Sequence, residues 1–548
     1  MRYLKVLTIA VLVVGFGSCN YLNYDETTVH TQDDIFSDFQ RTKEFLNNIY
    51  RHLPHGINPI DGAMRTSASD DAEEVWSLSN IQLMNDGSWS ANQPVDAQWS
   101  SMYSGIRAAN RFLEESERET FEDWRYNTDY DQMMEQFSYY PYEARFLRAY
   151  FYFELIRRYG DVPLITTVLG PEEANSVEQS SFEEVVEFIV DECDATIPGL
   201  PEDYSGVPQR ETGRATSGAA MALKARVLLY AASPLHNPSG DDSKWELAAE
   251  AAKDIIDTGN YTLENNYSNV VNNRTSNELI FERRLPASNI FERSNFPVGF
   301  EGAEPGTSPT QNLVDSYEMQ STGLAIDEAG SGYNPNNPYT GRDPRLEETV
   351  IYNNSIWKGR MVEIWNGGLD GPPRERATRT GYYLKKYVIE QVNLDPGNTT
   401  QAIHTWVLFR YGEVLLNYAE AMNEAYGPEN AAGLGMTARE AVNMVRNRVN
   451  MPEFPAGMSQ AGFREKLRNE RRVELAFENH RFWDLRRWEI GPSTTEIYGM
   501  EITRNNDGSF NYEKELVENR VWEGRMYLYP IPQTELNINE NLVQNFNW

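Results

Sequence analysis

Cysteine is almost missing from this chain: Cys19 and Cys193 are the only two in 548 residues. A disulfide-stapled scaffold is therefore excluded, and stability has to come from a packed core. Positive charge is also scarce, with 49 Lys and Arg against 82 Asp and Glu, a net charge of −33. A nucleic-acid binder needs a basic footprint, so that partner class is excluded. Long apolar runs are absent apart from one near the start. Together with 40% hydrophobic and 24% charged residues, this excludes a multi-pass membrane protein, a disordered chain and a collagen. Histidine is sparse, with six in all, and Pro54 between His52 and His55 breaks the geometry that would aim both at one metal. HExxH, GxSxG, Walker A and GxGxxG are all missing. The nearest phosphate-loop fragment, Gly433-Leu434-Gly435, follows no apparent strand. No cofactor is expected.

What is present begins with a processing signal. Arg2 and Lys5 precede the apolar run Val6 to Phe16, which is too short to span a bilayer and reads as a secretory signal peptide over residues 1–18. Gly17-Ser18-Cys19 then resembles a bacterial lipobox, with Phe16 where Leu is usual. This makes Cys19 the lipid attachment site, the alternative being an ordinary secreted protein cut nearby. Removing residues 1–18 takes away Arg2 and Lys5 and leaves −35. With Cys19 acylated, no intrachain disulfide can form.

The length suits three to four domains or one large one. Residues 19–34 are polar and turn-rich and read as a tether. From residue 35 the periodicity is helical. Phe146, Tyr150 and Phe153 recur at i, i+4, i+7, and this helix stops at Gly160 with Pro163 beyond. Thr216 opens an alanine-rich helix, Leu415 to Tyr426 is closed by Gly427-Pro428, and residues 459–488 form a long helix or a pair. Residues 286–405 differ, holding ten of the 27 prolines and 13 of the 37 glycines. The expected fold is mostly α. Tetratricopeptide-like helix pairs over 35–285 and 406–548, the latter with a C-terminal tail, flank an inserted, irregular, loop-rich ligand-binding lobe with short strands over 286–405. Asn506-Asp507-Gly508 reads as a hairpin turn.

Two acidic clusters invite chemistry. Asp70-Asp71-Ala72-Glu73-Glu74 offers oxygen ligands for calcium without EF-hand spacing, so a solvated charge run is expected. Glu470, Glu474 and Glu478 lie on one helical face, interleaved with Arg471, Arg472 and Arg481, and read as a salt-bridged helix face. The more informative residues are aromatics set among polar ones. These are Trp76 and Trp89, with Asn92 beside them, and Tyr333, Tyr339, Trp357 and Trp365 in the loop-rich region. Exposed rings can stack on sugar faces while amides and acids take the hydroxyls. Each ring could equally be a local apolar plug that pins a loop. Trp99, in helical register with Tyr103 and Ile106, is assigned to the core.

Several stretches together resemble the SusD/RagB family of outer-membrane nutrient-binding lipoproteins. They are Trp99-x-x-x-Tyr103-x-x-Ile106-x-x-x-Asn110; Glu143 to Leu155 (EARFLRAYFYFEL) with Tyr159 to Leu164 (YGDVPL); Gly213-Arg214-Ala215-Thr216; Arg410 to Glu424 (RYGEVLLNYAEAMNE); Glu470 to Glu478 (ERRVELAFE) with Arg481 to Trp488; and Tyr529 to Pro532 with Gln544-Asn545. The resemblance implies a non-catalytic, lipid-anchored protein exposed on the outer membrane. Such a protein captures oligosaccharide or polysaccharide and passes it to a SusC-type TonB-dependent transporter. Some members take peptides instead. A lipid-anchored glycoside hydrolase is the remaining alternative, although no paired acid and base is displayed. Glu143, Arg145, Glu474 and Asp484 match motif positions that the resemblance makes structural. The aromatics match none. The −35 charge disfavours polyanionic ligands, but the local cluster Arg374, Arg376 and Arg379 runs against it.

Overall fold

The computed structural model describes residues 31–117, 120–207 and 210–548. The signal peptide, Cys19 and the tether to residue 30 lie outside the described residues. Helix α1 (Gln32–Phe36) is opened by a capping box between Thr31 and Asp34, so the tether expected to reach residue 34 gives way to helix three residues earlier.

The scaffold is a run of helices, each packed on its neighbours: α2 (Phe39–Tyr50), α3 (Trp99–Ser116), α4 (Tyr130–Tyr159), α5 (Phe182–Thr196), α6 (Ser217–Ala232) and α7 (Asp242–Thr258). Local chemistry fixes the boundaries. Ser181 and Thr216 cap α5 and α6 with their hydroxyls, and Gly160 ends α4 at a φ of 70°. The C-terminal half of α4 is buried on every face because α3 and α5 clasp it. At one crossing a side chain on Gly105 would lie 2.6 Å from the Phe151 ring, so α3 approaches α4 only because that residue is glycine. After the lobe, α7 packs on α9 (Tyr411–Tyr426), and α9 packs on α10 (Ala438–Arg448) and α11 (Gln460–Glu474). Helix α12 (His480–Arg487) follows. The result is the expected mostly helical, tetratricopeptide-like scaffold.

Motif residues do structural work here. Glu143 accepts hydrogen bonds from Tyr50 at 2.5 Å, Tyr204 at 2.8 Å and Arg214 at 2.9 Å. Arg145 pairs with Glu192 at 2.8 Å. Asp484 joins Arg471 and Arg487, at 2.9 and 2.8 Å.

The strands are short and pair only in twos, all antiparallel. Strand β1 (Ala72–Glu74) pairs with β3 (Thr307–Pro309). The chain passes into the lobe along β2 (Leu279–Arg284) and leaves along its partner β8 (Thr405–Arg410), so one ladder closes the insertion. Within the lobe, β4 (Val350–Ile351) pairs with β7 (Tyr383–Leu384), and β5 (Ile356–Trp357) with β6 (Arg360–Met361). The long hairpin of β9 (Glu496–Arg504) and β10 (Phe510–Asn519) turns at Asn506-Asp507-Gly508 as expected. It does not stay with the helices: Asn366 N–H donates to Ile502 O and Met500 N–H to Thr380 O, each at 2.9 Å. The lobe is thus assembled from 286–405 together with β1 and this hairpin.

Both acidic clusters are buried: the run Asp70 to Glu74 is not solvated, and the face of Glu470, Glu474 and Glu478 is salt-bridged as expected, but inside the protein. Asp70 pairs with Arg481 at 2.8 Å, Asp71 with Arg472 at 2.6 Å, and Glu73 with Arg379. On α11, Glu470 and Glu474 bind Arg345 of the lobe at 2.6 and 2.9 Å, and Arg410 spans Glu474, Glu478 and Glu278. Arg446 completes Glu470 at 2.5 Å, and Lys386 completes Glu478 at 2.7 Å. Burial alone would raise these carboxyls, but the arginines outweigh it and hold Glu470, Glu474 and Glu478 below the ordinary carboxylate range. The arginines interleaved in sequence reach Asp70, Asp71 and Asp484 instead, because buried charges must meet partners from wherever the fold delivers them.

Candidate functional site

Three of the aromatics expected to be exposed are not. Trp89 is 1% exposed and lies edge-on against Tyr529 at 5.0 Å and Trp548 at 4.6 Å, so it pins the C-terminal tail. Trp357 is 2% exposed and meets Phe296 at 5.9 Å. Tyr339 is 8% exposed and stacks on Tyr352 at 4.3 Å. The polar neighbours of each mislead because the apolar partners come from distant sequence. Asn92 is exposed at a turn closed between Ser90 and Gln93.

Trp76, Trp365 and Tyr333 do reach solvent. Trp76 is 38% exposed. The β1–β3 pairing brings its indole N–H to Pro305 O at 2.9 Å. The guanidinium of Arg376 covers the ring at 4.3 Å and is itself held by Glu304 at 3.2 Å. Just before it, Glu74 is buried without a cationic partner, its carboxylate accepting from the Thr307 hydroxyl at 3.2 Å and from the Trp76 N–H, and burial outweighs these bonds and pushes its carboxyl up to about 7.

Trp365 starts a row of rings. It lies 5.2 Å from Phe510, which lies 6.3 Å from Tyr512. Phe510, Tyr512 and Lys514 share a face of β10 because alternate strand residues point the same way. Arg504, opposite Phe510 in the hairpin register, covers Trp365 at 5.2 Å. Buried Tyr339 supports Tyr512 from beneath, edge-on at 5.7 Å, and the Asn353 amide reaches the Tyr512 hydroxyl at 3.4 Å.

Past Tyr512 the row opens into a groove of about 620 Å³ between the hairpin, helix α8 (Gln311–Ser316) and the loop bearing Tyr333. Asn312, Asp315, Tyr333, Asn469 and Lys514 line it. Lys514 pairs with Asp315 at 2.7 Å, and Arg342 lies under Tyr333 at 5.4 Å. Asn312 anchors the hairpin, donating to Glu496 O at 2.9 Å and accepting from Tyr498 N–H at 2.8 Å. Burial raises the phenols of Tyr333 and Tyr512, which keeps them neutral donors. Half-buried rings in a row, ending in a groove with amide, hydroxyl, carboxylate and ammonium groups, match the amphipathic surface of a sugar chain. Among the described residues, no group of three or more His, Cys, Asp or Glu is placed to hold a metal.

The structure therefore joins Tyr333, Tyr339 and Trp365 through the β9–β10 hairpin and leaves Trp76 in a separate setting with Arg376. Phe510, Tyr512, Asn312, Asp315 and Lys514 were not picked out from the sequence. The alternation Phe510, Tyr512, Lys514 just after the hairpin turn was the available signal.

Comparison with known proteins gives consistent results along the chain. A family model described as "SusD family" matches residues 264–548, and one described as "Starch-binding associating with outer membrane" matches 20–229. SusD-like protein P2 of Formosa agariphila is 25% identical, with 98% of each chain covered. A solved SusD-like protein of Bacteroides fragilis superposes with a TM-score of 0.79 at 28% identity, covering 94% of this chain and 99% of its own. A second from that organism, described as a SusD-like carbohydrate binding protein, gives 0.76 at 26% identity, over 93% of this chain and 100% of its own. A laminarin binding SusD-like protein shares the fold, at 0.62 and 22% identity, over 93% of this chain and 99% of its own. The one family model alone spans just over half of the chain, and the helical scaffold and motif residues described above agree with it: the chain belongs to the SusD family.

Proposed function

We propose that this protein captures an oligosaccharide or polysaccharide on the outer face of the outer membrane, anchored by lipid at Cys19, and delivers it to a SusC-type TonB-dependent transporter without catalysing any reaction. The observation that carries this reading is the row Trp365, Phe510, Tyr512 leading into the groove beside Tyr333. Rings spaced at 5–6 Å give a chain of pyranoses successive faces to stack on, and the groove supplies hydrogen-bonding groups for the terminal hydroxyls. A family model for starch-binding, outer-membrane-associated proteins and a relative described as carbohydrate binding support the ligand class. The lipobox-like Gly17-Ser18-Cys19 supports the anchor.

The test is retardation of the soluble protein, starting after Cys19, in native gels cast with neutral and acidic polysaccharides, with a peptide digest as competitor. The expected result is retardation by one glycan class that Trp365→Ala and Tyr512→Ala both relieve. Retardation by none, with binding of peptides instead, overturns the glycan reading. Co-purification of the full-length lipoprotein with a TonB-dependent transporter from outer membranes tests the delivery step.

A further inference from the structure

One segment of the lobe runs against the acidity of the chain. Residues 356–386 carry seven Lys and Arg against three Asp and Glu, in a protein with 33 more acids than bases. Their placement divides them. Lys386 is buried and belongs to the ion-pair network under the lobe, Arg379 is exposed but paired with Glu73, and Lys358 and Arg374 are exposed without a carboxylate on their cationic groups.

Those last two are held by main-chain carbonyls, not by carboxylates. Arg374 Nη1 donates to Leu369 O at 2.9 Å and to Val298 O at 3.5 Å. Lys358 Nζ donates to the carbonyls of Glu390 and Val392, both at 2.7 Å, while the Glu390 carboxylate is taken up by the Lys358 N–H at 2.6 Å. A carbonyl fixes a cation in place without cancelling its charge. Beside Arg374, Arg360 grips the adjoining Asp370 with two nitrogens at 2.7 Å and stacks on Phe300 at 3.9 Å. Two guanidinium groups thus converge on the Leu369-Asp370 turn. Gly299 donates to Asp370 Oδ1 at 3.1 Å there, and a side chain on it would fall 2.5 Å from Leu369 O and 2.9 Å from Arg360 Nη2. On the same 365–376 loop, Trp365 starts the aromatic row and Arg376 covers Trp76.

Neutral sugars are bound with acceptors as well as donors, because each hydroxyl is both. Here Asp370 and Glu304 are already paired, and Arg360, Arg374 and Arg376 offer only N–H donors with fixed geometry. Planar guanidinium donors fit sulfate and carboxylate groups. We propose, on the basis that the aromatic row binds a glycan, that the ligand is an anionic polysaccharide whose sulfate or uronate groups are read by Arg374 beside the row.

The experiment is native-gel retardation of the soluble protein on matched pairs: carrageenan and fucoidan beside their desulfated forms, polygalacturonate and alginate beside their carboxyl-reduced forms, with laminarin, starch and xylan as neutral members. The expected result is retardation by at least one anionic polymer, weakened at least tenfold when its charged groups are removed and falling steeply between 50 and 500 mM salt. Which pair responds separates sulfate from carboxylate. Arg374→Gln should weaken that binding about tenfold, Arg374→Lys should restore part of it, and Arg439→Gln on scaffold helix α10 should leave it unchanged. Retardation by neutral or uncharged forms alone overturns the anionic reading and leaves glycan capture standing. Equal loss with Arg439→Gln, or none with Arg374→Gln, overturns the assigned residues. No retardation by any polymer overturns both readings.

Discussion

Arg345 of the lobe places Nη1 2.6 Å from Glu470 and 2.9 Å from Glu474 of α11, with all three side chains buried. Glu474 also receives Arg410 and Arg448. One buried carboxylate therefore meets three buried guanidinium groups. Removing one partner of a buried pair typically costs about 3–5 kcal/mol, since the survivors keep their charge and lose their compensation. Glu474→Gln should lower stability by about that much, measured as a shift of the urea midpoint at unchanged slope. A midpoint within experimental error of wild type would show that the network contributes little.

The rings should divide sharply between binding and folding. Trp365→Ala and Tyr512→Ala should each cost about 1–3 kcal/mol of glycan affinity and lower stability less than loss of a fully buried ring, since both rings keep one side open to solvent. Trp89→Ala and Trp357→Ala should cost about 3–5 kcal/mol of stability, since both are filled core positions. Unchanged melting of Trp89→Ala together with lost binding would contradict the burial described here.

The pH dependence should carry two opposite signs. Glu420 is buried, yet Arg487 and Arg471 hold its carboxyl down at about 2, so its stabilisation is complete above the ordinary value of 4.5 and is lost as pH falls toward 2. Glu74 runs the other way. Burial raises its carboxyl from 4.5 to about 7, so stability is fullest below pH 4.5 and declines as pH rises through 7. Glu74→Gln should abolish that decline and gain on the order of 2–3 kcal/mol over wild type at pH 8 relative to pH 5. Equal pH slopes for the two proteins would exclude a raised Glu74.

Cys193 is buried, and burial with Asp194 and Glu192 nearby pushes its thiol up. A form starting after Cys19 should therefore show no reactive thiol when folded and one when unfolded, by absorbance titration with a disulfide reagent. Fast labelling of the folded protein would place Cys193 at the surface.

The sequence was most informative where the physics is local. Gly160, Thr216 and Gly427 mark helix ends through backbone geometry that a few neighbouring residues decide, and Asn506-Asp507-Gly508 marks a turn for the same reason. Exposure is not local. Trp89 sits in a polar stretch, yet Tyr529 and Trp548 cover it from more than 400 residues away. Asp70 and Asp71 read as a solvated run because Arg472 and Arg481, which neutralise them, lie equally far along. The candidate site was half legible for the same reason: Tyr333, Trp365 and the hairpin turn could each be named, but not that the hairpin docks on the lobe and joins them.

The ion pairs beneath the lobe limit how this protein can change its ligand. Arg345 and Lys386 come from the inserted segment, and their carboxylates come from α11 and the residues just after it. A lobe that lacked cations at these two positions would leave the buried acids beneath it without partners. Exchange of the whole lobe therefore requires that Arg345 and Lys386 be kept, or that both halves move together. Exposed side chains along the ring row and the arginine-rich loop, by contrast, can change one at a time while these buried pairs stay fixed.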